Sequence, residues 1–386
     1  MEAHRRNQAL IVLWIFVSSF GILSIYSASM PQLISSGQLP FKTALVQLMV
    51  FLFSIILLMI LIRMKKVSYR MIYKSIDFLF YFTLISLVAV LIVGADRGGA
   101  KMVIDLGFVD YQPVELYKIT VILYMAKHMS NKKKPKTLTE LIKLVLIAGS
   151  GTVLLILQPD LGGAVIVGAL IVFMVFLYGE FMFTLLKITG ASLFFLVIGS
   201  TAMFRLSRDV LYEHQSARFS AWLDPFSDAL DTGWGTVNSL IAISNGNITG
   251  AGYLNSIQKT ILDTGASTDY IFVIICEEWG LLGAVIVIGS LTFISFLSMV
   301  IGNNAKDRFG MLYCYGYGLL ILLQMFVNVG GVVNIIPMTG VTLPFISSGL
   351  NSFLFMSIGL FIVVLIDREA VRERRKKHAQ SEKLFL

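Results

Sequence analysis

The chain has 386 residues, of which 56% are hydrophobic and 14% charged, and a net charge of +8. Soluble domains carry roughly 25% charged residues, so this composition excludes an ordinary soluble protein and puts the chain in a bilayer. The positive charge is then read from where it falls along the chain, and no nucleic-acid partner is expected. The two cysteines, Cys276 and Cys314, lie in apolar stretches and read as small buried hydrophobes rather than a disulfide.

A membrane-spanning helix needs about 20 mainly apolar residues. On that basis about ten spans are predicted, near 9–28, 44–62, 76–94, 114–129, 140–157, 161–178, 181–204, 270–299, 309–330 and 350–366. The first follows Arg5 and Arg6 and is too long for the apolar region of a signal peptide, so it reads as an uncleaved span. The fourth is short and carries Glu115, Lys118 and Lys127; the fifth and sixth are separated only by Gln158-Pro159-Asp160.

Basic residues fill alternate connections: Arg63, Lys65, Lys66, Arg70 and Lys74 in the second, Lys127 and Lys132 to Lys134 with Lys136 in the fourth, Lys306 and Arg308 in the eighth, and Arg368, Arg372, Arg374, Arg375, Lys376 and Lys377 in the tail. The positive-inside rule makes that side cytoplasmic. The expectation is an all-α integral membrane protein with both termini cytoplasmic. It forms one membrane domain over 1–386, with a large extracytoplasmic loop at about 205–269 and a basic tail at about 367–386 that meets anionic lipid. No paired, similarly broken halves of the inverted-repeat transporter kind are visible.

The polar loop runs from Arg205 to Asp269 and includes Arg208, Asp209, Glu213, His214, Arg218, Asp224, Asp228, Asp231, Lys259 and Asp263. Lys101, Arg205, Arg208, Arg218 and Lys259 are basic on the outer side. Long loops escape the charge rule, but as a set beside Asp269 these cations suit an anionic headgroup, because Lys and Arg bind phosphate oxygens through charge-assisted hydrogen bonds. Asp269 opens the eighth span and has two readings: a helix cap, or a general base at headgroup depth within reach of a sugar hydroxyl. Glu277 and Glu278 follow it into the span, where a carboxylate costs roughly 2.5–3.5 kcal/mol, so they must face a cavity, a partner or water. Glu115 and Lys118, three residues apart, share a helix face and can pair. Asp160 reads as a turn or cap, with lining of the same cavity as the alternative.

The segment from Asn334 to Gly349 holds Pro337, Gly340 and Pro344, which rules out a regular helix. Irregular backbone at membrane depth survives only where protein or a water-filled cavity covers it, so a packed or re-entrant loop beside the site is expected. There is no Walker loop, HExxH or CxxC motif, and the four histidines are scattered. A divalent cation, Mg2+ or Mn2+, recruited by carboxylates and a diphosphate is compatible with this pattern; no organic cofactor is indicated.

Asn328-Val329-Gly330 and Ile336-Pro337-Met338-Thr339-Gly340-Val341-Thr342-Leu343-Pro344-Phe345-Ile346-Ser347 closely resemble the signature of the SEDS family, the FtsW, RodA and SpoVE proteins of division, rod shape and sporulation. Gln112-Pro113-Val114-Glu115-Leu116-Tyr117-Lys118 resembles its QPxExxK segment, and Gln158-Pro159-Asp160-Leu161-Gly162 its PDLG turn. Arg218-Phe219-Ser220-Ala221-Trp222-Leu223-Asp224-Pro225 resembles a further stretch, and Thr268-Asp269-Tyr270-Ile271-Phe272 with Glu277-Glu278-Trp279-Gly280 the TDFIF and EExG run. The likeness covers nearly the whole chain. Three departures mark a divergent member. Met102 and Val103 stand for an Arg-Trp pair, Thr264-Gly265-Ala266-Ser267 for Pro-Glu-Ala-His, and Ser347-Ser348-Gly349-Leu350-Asn351-Ser352 for Ser-Tyr-Gly-Gly-Ser-Ser.

The resemblance implies a peptidoglycan glycosyltransferase that polymerises lipid II on the outer face of the bacterial cytoplasmic membrane, beside a class B penicillin-binding protein. It assigns the catalytic aspartate to Asp269. Lys101, Arg218, Lys259, Asp160 and Ser347 are then the candidate substrate-binding residues, and Glu115, Lys118, Glu278, Pro337, Thr339 and Pro344 the candidate structural or cavity residues. Two alternatives stay open: a flippase for lipid-linked precursors, and a non-catalytic scaffold for the penicillin-binding partner.

Overall fold

The computed structural model describes residues 2–63, 69–97, 100–107, 110–130, 135, 137–179, 218, 220–262 and 265–384. The span expected at 181–204, the basic residues Lys65, Lys66, Lys132 to Lys134 and Lys136, and the loop residues Arg205, Arg208, Asp209, Glu213, His214 and Asp263 lie outside them.

Among the described residues, eight helices are long and apolar enough to cross a membrane. They are α1 (Glu2–Ser35), α2 (Lys42–Arg63), α3 (Tyr69–Val93), α5 (Leu138–Leu157), α6 (Leu161–Tyr178), α9 (Ile271–Asn303), α10 (Arg308–Val332) and α11 (Leu350–Leu384). They coincide with eight of the expected spans, and the protein is a multi-pass membrane protein. The span expected at 114–129 is α4 (Pro113–Ser130), which fails the same test of hydropathy and charge for a physical reason. It is buried on nearly every side and touches α3, α5, α6, α10 and α11. A helix sheathed in protein need not be apolar enough for lipid. By contrast α2 turns Met49, Phe53, Ile56 and Ile60 outward, as a lipid-facing helix does.

Local sequence sets the helix starts. Thr137 Oγ1 accepts the Glu140 N–H at the head of α5, Asp160 accepts that of Gly163 at the head of α6, and Asp307 that of Gly310 at the head of α10. Aromatic packing joins the elements. Trp14 of α1 lies against Phe51, Phe353 and Phe361 and donates its ring N–H to Ser357. Tyr313 and Tyr317 stack along α10 and donate to the Gly359 and Met356 carbonyls of α11.

The fold is mostly helical, as expected, with one small sheet added. Between α3 and α4 the chain forms a small antiparallel sheet, β1 (Ala95–Arg97), β2 (Ala100–Asp105) and β3 (Asp110–Tyr111), in the order β1-β2-β3. Asp96 pairs with Lys101 and Ile104 with Tyr111. The Asn351 side chain donates to the Asp110 carbonyl at 2.5 Å, which ties the sheet to the head of α11.

The second half of the polar loop is also structured. Asp224 and Asp228 accept main-chain N–H groups two to four residues on and so close turns. Next come α7 (Trp234–Gly246) and the short α8 (Gln258–Ile261). Helix α7 runs beside the first part of α9, because Gly235 meets Tyr270 and Gly246 meets the Cys276 carbonyl. Helix α9 breaks at Gly280, whose φ of 63° and ψ of −159° are non-helical. The segment after α7 repairs the break: Leu281 and Leu282 donate to the Asn247 and Ile248 carbonyls, while Ala251 and Gly252 donate to those of Glu277 and Glu278. Freed backbone groups in a membrane helix must find such partners.

Candidate functional site

The site is built where the turn before α9 meets the irregular segment between α10 and α11. Three successive carbonyls of that turn are engaged from the other side. Ser348 N–H donates to Ser267 O at 2.9 Å, Ser347 Oγ to Thr268 O at 2.7 Å, and Asn328 Nδ2 to Asp269 O at 2.9 Å. The same Asn328 nitrogen donates to Val341 O at 2.8 Å. One turn earlier on α10, Gln324 Nε2 donates to Thr342 O and to Ser352 Oγ, both at 3.2 Å. Residues four apart share a helix face, so Gln324 and Asn328 hold neighbouring carbonyls of one loop.

The covering expected for this loop is in place. Ile346 lies against Gly21 of α1, and Thr339 and Val341 lie against Gly162 at the head of α6, close enough that a Cβ on either glycine would collide. Pro344 is buried and Pro337 partly so. The Thr339 hydroxyl is buried with no hydrogen-bond partner among the described residues.

Against this fixed backbone, the Asp269 side chain is partly exposed and accepts no hydrogen bond among the described residues. It does not cap α9: the cap position is Tyr270, with no side-chain cap bond. Its Oδ2 is 3.4 Å from where a Cβ on Gly340 would stand. Burial pushes the carboxyl up to about 6, and the positive charge of Arg218 opposes that rise. Asp160 caps α6 with a 2.8 Å bond from Gly163 N–H. Burial raises its pKa too, countered by that N–H and by the charges of Lys118 and Arg218, while Glu115 pushes it up. The exposed Arg218 thus acts on both carboxyls.

Glu115 and Lys118 form the expected pair, 2.8 Å apart and buried, and Lys118 Nζ also donates to Gln324 Oε1 at 3.2 Å. This extends the polar chain from α4 through Gln324 to the loop.

Two expected substrate-binding residues are placed differently. Lys259 is not an open cation: its side chain is 7% exposed, and Nζ bonds Glu278 at 3.2 Å, Ser27 Oγ at 3.0 Å and Leu254 O at 2.7 Å. Glu278 takes the structural one of its two readings, paired with Lys259 and with Ser27 of α1. Glu277 likewise receives Asn245, Ser256 and Gln258 N–H. A buried charge must be paired, and these pairs fasten α1 and the loop to the broken helix. Ser347 spends its hydroxyl internally, donating to Thr268 O and accepting from Leu343 N–H at 2.8 Å. Lys101 is exposed on β2, and no described contact joins it to Asp269.

Gln324 and Asn328 received no role from the sequence, although two polar residues four apart in an apolar helix are a signal for interior function. Among the described residues no group of three His, Cys, Asp or Glu side chains is placed to hold a metal.

The chain is similar to the probable peptidoglycan glycosyltransferase FtsW of Lactococcus lactis, with 31% identity over 95% of this chain and 93% of that one. It is 31% identical to the protein of the same name from Bacillus subtilis, over 98% and 94%. Among solved structures it resembles a chain from work on structural coordination of polymerization and crosslinking by a peptidoglycan synthase complex, at 25% identity and a TM-score of 0.74, covering 94% of this chain and 97% of that one. It shares its fold with the rod shape determining protein RodA of Thermus thermophilus, at 23% identity and a TM-score of 0.66, covering 94% and 96%. The family model for FtsW, RodA and SpoVE, described as cell cycle protein, matches residues 7–372, and the chain belongs to that family.

Proposed function

We propose that this chain is a peptidoglycan glycosyltransferase that polymerises lipid II, with Asp269 as general base. The observation that carries this reading is a carboxyl with no hydrogen-bond partner among the described residues, on a backbone held by three bonds and with a proton affinity raised to about 6. A base with a pKa near the working pH combines a useful deprotonated fraction with real driving force for proton removal. The relatives' names support the activity.

In this reading Asp269 takes the proton of the acceptor sugar's 4-hydroxyl as that oxygen attacks the donor's anomeric carbon. The donor's bond to its polyprenyl diphosphate breaks, and the leaving group carries away the electron pair. Arg218, exposed and close enough to act on Asp269, receives the developing negative charge, a term that is often the largest in catalysis. Lys101 can contribute only at longer range. Asp160 orients the head of α6, which abuts Thr339.

The basic connections support a topology with both termini in the cytoplasm and the site on the outer face of the bacterial cytoplasmic membrane. Ten spans follow if α4 and the segment at 181–204 cross with the others. A class B penicillin-binding protein is the expected partner, supported by the likeness to a synthase complex that joins polymerization to crosslinking. The test is gel-resolved polymerisation of purified lipid II by the full chain with its crosslinking partner. Asp269→Ala should lose at least 10²-fold in rate, in the range of general-base contributions, while staying folded. Undiminished polymer from that variant removes Asp269 from the chemistry.

A further inference from the structure

We propose that Asn328 is a positioning residue for Asp269, holding the catalytic turn and the facing loop in one register through a single side-chain amide. The inference rests on the general-base reading of Asp269. Asn328 is 2% exposed, so it is walled off from solvent. Its Nδ2 donates both to Asp269 O and to Val341 O, which fixes the amide orientation because only nitrogen can donate. Those carbonyls belong to the two strands of chain that flank the carboxylate, and Gly340, next to Val341, faces Asp269 Oδ2.

Ser347 and Ser348 complete the clamp on Thr268 and Ser267. Gln324 fixes the next loop carbonyl and is itself held by Lys118. The backbone at Asp269 is therefore anchored to α10 and, through Lys118, to the central helix α4. A carboxylate with no hydrogen bond of its own among the described residues is aimed only by its main chain. The residues that grip that main chain set the aim.

Asn328→Leu keeps the forked shape of the side chain, with bulkier ends, and removes both N–H donors without adding a charge. In lipid II polymerisation by the full chain with its crosslinking partner, kcat should fall on the order of 10²-fold, the loss associated with misplacement of about 1 Å, while KM changes little. The acid limb of the rate profile should also move below its wild-type position, because a released carboxylate reaches water. Ser347→Ala, which removes one hydroxyl, should show the same signs more weakly, and it carries the test if Asn328→Leu is not recovered folded by gel filtration. Wild-type rates in both variants overturn the proposal, as does a rate loss with an unmoved acid limb. Asp269→Ala is assayed in parallel. Activity in Asp269→Ala defeats the general-base reading itself, whereas an inactive Asp269→Ala beside a fully active Asn328→Leu defeats only the clamp.

Discussion

Asp160 and Asp269 both stand just before an apolar helix, yet the fold uses them in opposite ways. Asp160 gives its carboxylate to the Gly163 N–H, as a helix cap does. Asp269 leaves that task undone, and its oxygens accept no hydrogen bond among the described residues. The difference was not legible from position alone, because either residue satisfies a capping rule; it comes from the clamp on the Ser267 to Asp269 carbonyls, built by residues far along the chain. The freedom of Asp269 costs stability. Burial raises its pKa from 3.8 to about 6, so the folded protein binds this proton more tightly than the unfolded chain. That contribution is complete below about pH 4 and is lost as the pH rises through 6. Asp269→Asn should therefore melt above wild type at pH 8, by the equivalent of about 3 kcal/mol at 1.36 kcal/mol per pH unit, and level with it at pH 4. Thermal unfolding in detergent at the two pH values checks this.

At the scale of elements, sequence reading works where a helix faces lipid and weakens where it faces protein. The apolar blocks that became α1, α2, α3, α5, α6, α9, α10 and α11 needed only length and hydropathy. Helix α4 was harder to read because its charges are paired inside the bundle, as with Glu115 and Lys118. The sheet at β1 to β3 escaped notice because its strands are short and hydropathy registers only long apolar runs. The break at Gly280 was hidden too, since Glu277-Glu278-Trp279-Gly280 signals buried charge and not a change of backbone direction. The returning segment, whose Ile248 O would collide with a Cβ at Gly280, makes glycine necessary at the break. Gly280→Ala must bear both that collision and a backbone conformation costly for any other residue. It should lose about 1–3 kcal/mol of stability, read as a lowered melting temperature, with polymerisation reduced if the Asp269 turn at the head of α9 acts as proposed.

For the whole molecule, the chain is a bundle whose interior is wired by polar side chains and whose exterior is apolar. One wire runs from Glu115 and Lys118 on α4 through Gln324 to the loop at Thr342. Another joins α1 to the broken α9 through Ser27, Lys259 and Glu278. Both end on elements that border Asp269, the irregular loop and the broken helix. Residues of the family signature, Asn328 and Ser347 among them, were visible in the sequence, but their partners were not, because each bond spans tens of residues of chain.

The most direct measurement is the pH dependence of kcat for lipid II polymerisation between pH 4.5 and 8. A general base must be deprotonated to act, so the rate should climb through about 6, the raised value for Asp269, and level off above it, with Asp269→Asn close to background throughout. A rate that is flat across this range in the wild type, or the same climb persisting in Asp269→Asn, would contradict Asp269 as the base.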